Sequence, residues 1–538
     1  MIYRMKKICM KRLPLLFACF LWLHSFAQDI DVLHYSFSIT INDESDTIRG
    51  LASITLINKA GSDIQLDLTS VKGSRKGMLV TYVADFTEDS LNGKELEFKQ
   101  EKEKLVIYTK EAEKNKRKKI SIFYHGVPDD GLIISKNKFG DRTFFADNWP
   151  NRAHHWIPCN DRPDDKASFE FEVWSPAYYK VISNGSKTLE YKVSNGGKLT
   201  HWREETLLPT KVMVIGAAPF AIKEYQNSPN NLPISAWVYL QDSTQGFYDF
   251  AVAPDIVNYF SNYIAPFPYQ KLANVQSTTI FGGMENASCI FYAEDLVTGD
   301  RKHEDVIAHE IAHQWFGDMA SEKSFAHLWL SEGFATYFTD LWFEHKYGKE
   351  AANKRLEKER KEVIAFANKS NHAVVDSTEN LMSLLNANSY QKGAWVLHML
   401  RNEVGDRTFQ RIIQAYYNQY KGSNAETRDF EAVVEKVTNK DWKWFFNQWL
   451  YQPGIPQLEF TFRKEKTGIT LNILQKQNLL YSFPLTIAYV VDFGRICLFK
   501  KILISALKTS IKLPANTEKI YTGVNDILAE GVTGINIR

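Results

Sequence analysis

Residues 306–316 read Val-Ile-Ala-His-Glu-Ile-Ala-His-Gln-Trp-Phe, and residues 328–334 read Leu-Trp-Leu-Ser-Glu-Gly-Phe. In the first stretch His309 and His313 are four apart, so on a helix they share one face. Two imidazoles one turn apart can grip a single zinc ion, with Glu310 beside them as general base. Val306, Ile307 and Ala308 before the motif, and Trp315 and Phe316 after it, supply the apolar face such a helix needs. Zinc asks for a third protein ligand and leaves a fourth position for water. Glu332 opens the second helical stretch. The 18 residues between His313 and Glu332 leave room for a helix end, a loop and a returning helix.

Outward from this pair of helices the chain divides by pattern. From Asp29 to about Tyr225 short runs alternate apolar and polar with period two, as in Tyr35–Ile41, Ala52–Ile57, Ile64–Leu68, Lys119–Tyr124 and Ser168–Val173. Such runs, parted by Gly, Asn, Asp and Lys clusters, predict a β-sandwich. From residue 226 the apolar spacing becomes helical, in Phe247–Tyr263 and in segments starting at His303, Leu328, Ala351, Leu381, Asp406 and Arg428. This α-rich part closes at Gln452-Pro453-Gly454-Ile455-Pro456, where Pro and Gly mark a boundary. Strand patterns return at Leu458–Phe462, Ile469–Leu474 and Leu485–Val491. The expected architecture is multidomain α+β. An N-terminal β-sandwich covers residues 28–225, an α-rich catalytic domain 226–455, and a small C-terminal β domain 456–538.

Three further stretches make the pattern specific. Gly282-Gly283-Met284-Glu285-Asn286 places Glu285 24 positions before His309. Ser389-Tyr390-Gln391-Lys392-Gly393-Ala394 follows the zinc motif, and Trp156-Ile157-Pro158-Cys159-Asn160-Asp161 lies in the β-rich part. With the paired helices, these resemble the gluzincin zinc peptidases, in particular the aminopeptidase-N and leukotriene-A4-hydrolase family, over about residues 30 to 450. The resemblance implies a thermolysin-like catalytic domain holding one Zn2+ per chain. It makes Glu310 and Tyr390 catalytic, Tyr390 as a hydroxyl donor to the oxyanion. It also makes Gly282, Gly283, Met284, Glu285 and Asn286 an exopeptidase signature, with Gly283 where the family has Ala. Glu285 would anchor the free α-amine of a peptide, because a buried ammonium needs a paired charge. Family members usually add a Gln or Glu from the first domain. The corresponding stretch, Phe145-Ala146-Asp147-Asn148-Trp149-Pro150, has neither, and leaves Asp147 as the substitute. His154 stands where Arg is usual.

The expected substrates are therefore peptides with a free N-terminus. A thermolysin-like endopeptidase would use the same zinc core but leave Glu285 unexplained. A non-catalytic peptide-binding protein with a relic site would be expected to have lost part of the set. An epoxide hydrolase, as in one family branch, is the remaining enzyme reading. With 65 basic and 63 acidic residues, the chain offers no electrostatic case for nucleic acid. Arg4, Lys6, Lys7, Lys11 and Arg12 precede an apolar run from Leu13 to Phe26, and Ser25-Phe26-Ala27 fits a cut before Gln28. Residues 1–27 thus read as a signal peptide and the chain as exported to periplasm, cell surface or medium. A membrane anchor is a second reading, against which the run is short, and a lipoprotein site at Leu16-Phe17-Ala18-Cys19 a third, against which the apolar run continues past Cys19. No later segment has 18 consecutive apolar residues, so no transmembrane segment is expected in the mature chain. Cys159, Cys289 and Cys497 are too widely spaced for a disulfide framework.

Overall fold

The strand Ala167–Pro176 buries every second residue, from Ala167 through Phe169, Phe171 and Val173 to Ser175. It lies parallel to Ile30–Thr40, which in turn pairs antiparallel with Ile48–Asn58. These strands form the middle of an eight-stranded sheet. Their inner faces, with Phe37, Ile39, Ile54, Phe169 and Phe171, share one core with a four-stranded sheet of Leu132–Lys136, Arg142–Ala146, Lys180–Ser183 and Ile215–Ala218. The computed structural model describes residues 29–537 except 72, 74–75, 88–91, 110–113, 195, 227, 493 and 524–525. The leader-like residues 1–27 lie outside the described residues.

The sheets change at Pro219. Phe220–Tyr225 pairs with Ile234–Tyr239, which belongs to a five-stranded sheet with Leu272–Ser277, Cys289–Ala293 and the edge pair Gly283–Met284. The division expected at residue 225 therefore falls after a strand that already belongs to this five-stranded sheet. That sheet is also absent from the α-rich expectation. Its strands Leu272–Ser277 and Cys289–Ala293 are buried almost throughout, so they carry no alternation to read.

Helix Glu304–His313 packs against the edge pair of this sheet, helix Trp329–Tyr347 packs on that helix, and Lys349–Ala367 and Gly393–Val404 pack on Trp329–Tyr347. The helix expected from Leu381 is only a single 3-10 turn, Leu381–Leu384. The C-terminal strands form a three-stranded and a four-stranded sheet, and they share one core with these helices. No described helix is long and apolar enough to cross a membrane.

Two lysines, Lys166 and the buried Lys211, tie the N-terminal part to the helical part. Lys166 Nζ donates to the carbonyls of Asp318, Met319 and Ser423 at 3.0–3.2 Å. Lys211, 1% exposed, pairs with the fully buried Glu322. Beside this seam Asp165 accepts from Val32 N and Asn160 Nδ2. Burial outweighs those bonds and pushes its carboxyl up to about 7. Unfolded, it would titrate near about 3.9. Folding therefore takes up a proton between these values, and the residue's contribution to stability falls as pH rises through this window. The melting-temperature difference between Asp165→Asn and wild type should shift in the variant's favour from about pH 5 to about pH 8. An equal or reversed difference would show that Asp165 is not raised.

Candidate active site

Helix Glu304–His313 presents His309 and His313 on one face, and helix Trp329–Tyr347 returns with Glu332 in its first turn. His309 Nε2 and His313 Nε2 are 3.0 Å apart, and each is 3.2 Å from Glu332 Oε2. Two ligand atoms bound tetrahedrally to zinc at 2.0–2.1 Å would sit about 3.3 Å apart. The donor set, two imidazoles and a carboxylate, and its spacing both fit zinc. His313 Nδ1 donates to Phe316 O at 3.0 Å and lies 3.1 Å from Ser331 Oγ, which leaves Nε2 with its lone pair free for the metal. Burial opposes charge on His313, but Glu332, Glu285 and Glu310 together push it up to about 10. The site is built to hold positive charge.

Glu310 points back toward the sheet edge. A Cβ on Gly283 would lie 2.2 Å from Glu310 Oε1, so the glycine leaves room for the carboxylate rather than for substrate backbone alone. Burial raises the Glu310 carboxyl well above its usual range, and His313 pulls the other way. Glu285 is 5% exposed. Its main chain is tied to the motif helix by Gln314, whose Nε2 donates to Glu285 O at 2.7 Å and whose Oε1 accepts from Ser288 N.

Tyr390 sits in a π-helical turn, Asn388–Lys392, with its ring stacked on His309 at 5.9 Å. Such turns recur at functional sites. Burial, then Glu332 and Glu285, raise its hydroxyl far enough to keep it a donor. What brings Tyr390 to Glu332 is a glycine contact. A Cβ on Gly333 would lie 2.8 Å from Gly393 Cα, so the two helices touch backbone to backbone beside both residues.

The model for the peptidase family M1 domain matches residues 248–449, and that for the peptidase M1 N-terminal domain matches residues 32–212. The chain belongs to peptidase family M1. Among M1 relatives, "Aminopeptidase M1-A" of Oryza sativa subsp. japonica is 28% identical over 59% of this chain and 38% of its own length. "Probable aminopeptidase 1" of Sulfurisphaera tokodaii is 27% identical over 75% of this chain and 53% of its own. The chain thus spans about half or less of the curated relatives it matches. An M1 zinc metallopeptidase from Deinococcus radiodurans, crystallised as a point mutant, superposes with a TM-score of 0.66 at 20% identity, over 79% of this chain and 94% of that one. Legionella pneumophila aminopeptidase A in complex with aspartic acid gives 0.79 at 16% identity, over 94% and 60%. These two likenesses show the M1 fold.

Most of the residues expected from sequence line one cleft of the M1 domain, about 1130 Å³ of open space: Gly282, Gly283, Met284, Glu285, His309, Glu310, His313, Glu332 and Tyr390. Asp147 and Asn286 do not. Asp147 is fully buried, bonded to Arg152 Nη2 at 2.7 Å, Thr279 Oγ1 at 2.9 Å and Ile280 N at 3.0 Å. Its short side chain is used up holding the loop before Gly282, so it is a support and not an amine contact. Asn286 is also fully buried, behind the cleft wall. The position two residues on from Asp147 reaches the cleft instead, as Trp149, packed edge-on to Phe281. Sequence reading also missed Gln314, Ser331 and the wall from Lys349–Ala367. Gln314 and Ser331 sit next to His313 and Glu332, which was the available signal. Gly333→Ala should cost about 1–3 kcal/mol by overpacking, because backbone has nowhere to move. A thermal melt tests this, and an unchanged melting temperature would contradict the close contact.

Proposed function

We propose that this chain is a zinc-dependent aminopeptidase with one zinc per chain, removing single residues from peptides with a free N-terminus. The observation that carries the proposal is Glu285. A buried carboxylate beside the His309, His313 and Glu332 cluster suits a substrate ammonium, because a buried ammonium needs a paired charge. An endopeptidase has no amine to place there. The aminopeptidases among the M1 relatives support the same reading.

Bound zinc would polarise the scissile carbonyl and the attacking water. Glu310 would take the proton of that water and return it to the leaving amine, a role that suits a carboxyl whose proton affinity burial has raised. Tyr390, kept protonated, would donate a hydrogen bond to the oxygen that becomes negative. Glu285 fixes how far the chain end reaches, so that the first peptide bond meets Glu310. Export is part of the proposal and rests on the basic and apolar pattern of residues 1–27 alone. N-terminal sequencing of the mature protein should begin at Gln28.

Amino-acid p-nitroanilides with free and with acetylated amines test the activity. Free amines should be turned over and acetylated ones should not, and equal turnover would exclude the aminopeptidase reading. Glu310→Gln should keep zinc and lose kcat by about 100-fold or more, the usual weight of a general base. Retained kcat would remove Glu310 from that role.

A further inference from the structure

The cleft has two ends. Glu285 lies toward the C-terminal end of helix Glu304–His313, where Gln314 holds its main chain. Asp305 lies at the other end, one turn before His309. A peptide whose amine meets Glu285 and whose first carbonyl reaches His309 and His313 must run on toward Asp305.

What waits there is charged. Thr336 and Asp340 follow Glu332 at four-residue steps on the returning helix, so they share its face. Arg355, from helix Lys349–Ala367, donates through Nε to Asp340 Oδ1 at 2.8 Å and through Nη1 to Asp305 Oδ2 at 3.4 Å, with its guanidinium over the Phe343 ring. Those contacts complete an ion cluster between three helices. Glu359, one turn beyond Arg355, adds another carboxylate. It is 5% exposed, it lines the cleft, and neither of its oxygens has a donor among the described side chains and backbone. Asp340 Oδ2 has none either.

Within the protein only a proton shared with Asp340 can satisfy Glu359. Arg355 already binds two carboxylates, and a third one buried without a donor costs stability. Burial, then the Asp340 carboxylate, raises the Glu359 carboxyl well above its usual range, which is the same cost expressed as proton affinity. The two carboxyls face each other, so a proton or a cation has to sit between them. The remaining cation of the wall, Lys358, is turned outward, its side chain 80% exposed and 3.9 Å from Glu362. With Asp305, Asp340, Glu359 and Glu362 against Arg355 and Lys358, acids outnumber bases at this end. A cationic ligand group would supply the missing donor.

We infer that this end of the cleft is the subsite for the second residue of the peptide, and that it takes a basic side chain, a lysine ammonium or arginine guanidinium donating to Glu359. The inference rests on the aminopeptidase reading of Glu285. It concerns the leaving side of the scissile bond, where the product is a peptide or amino acid that begins with the basic residue.

The test uses the zinc-loaded full chain and the amides Ala-Lys-NH2, Ala-norleucine-NH2 and Ala-Glu-NH2, with Ala-p-nitroanilide as a substrate lacking a second residue. Amidation removes the terminal carboxylate that Arg355 would otherwise attract. The kcat/KM for the lysine amide should exceed that for the norleucine amide by about tenfold or more, the worth of a hydrogen bond to a charged group. In Glu359→Gln, whose folding is checked by thermal melting, that ratio should fall toward one, and Glu359→Asp should keep part of it. Equal values for lysine and norleucine in the wild type, or a preference for glutamate, would overturn the subsite whatever the variants do. An unchanged ratio in folded Glu359→Gln would remove Glu359 from it. Ala-p-nitroanilide separates the two levels. If it is cleaved and no second-residue preference exists, the subsite alone fails. If neither it nor any of the amides loses alanine, the aminopeptidase reading fails and takes the subsite with it.

Discussion

Three atoms, His309 Nε2, His313 Nε2 and Glu332 Oε2, lie within 3.2 Å of one another in a buried place. Two imidazole nitrogens so close, with a carboxylate between them, are held stable by positive charge, whether a proton or a metal ion. The rest of the catalytic part is the scaffold that enforces this convergence. The helical repeat aligns the two histidines. The loop after Phe316 turns the chain back, and Gly317, at φ 123°, lets Ser331 and His313 approach where any side chain would collide. The Gly333–Gly393 contact then sets the returning helix against the turn that carries Tyr390.

The β-rich N-terminal part does more than cover this scaffold. Asn184 Nδ2 donates to Ala287 O, Gly185 N donates to Ser288 Oγ, and Asp147 binds Thr279 and Ile280. These bonds hold both flanks of the segment bearing Gly282 to Glu285. Gln314 ties the same segment to the zinc-motif helix. The position of Glu285 relative to the candidate metal ligands is therefore set jointly by both parts, and the buried Lys211 lies close enough to favour its charged form.

Much of this was legible in the chain. The outer strands alternate because one face meets the core and the other meets solvent, so Ser168–Val173 reads as a strand from its residues alone. The candidate zinc ligands were legible because a metal imposes fixed spacing on a helix. The parallel strands Leu272–Ser277 and Cys289–Ala293 were not, because burial on both faces erases the period. Asp147 was misplaced for a different reason. Sequence position located it in the correct loop, but which side chain of that loop faces the cleft depends on backbone direction, and Trp149 faces it. Arg355 and Glu359 gave no signal, since on a helix as charged as Lys349–Ala367 they look like a solvated surface. Only the packing against Asp305 and Asp340 separates them from it.

The proposed activity depends on a metal ion sitting among the three converging side chains. Anomalous scattering at the zinc edge from crystals of the zinc-loaded protein measures this most directly. One strong peak is expected, about 2.0–2.2 Å from His309 Nε2, His313 Nε2 and a Glu332 carboxylate oxygen. A peak elsewhere, or one coordinated by the histidines while Glu332 turns away, would contradict it.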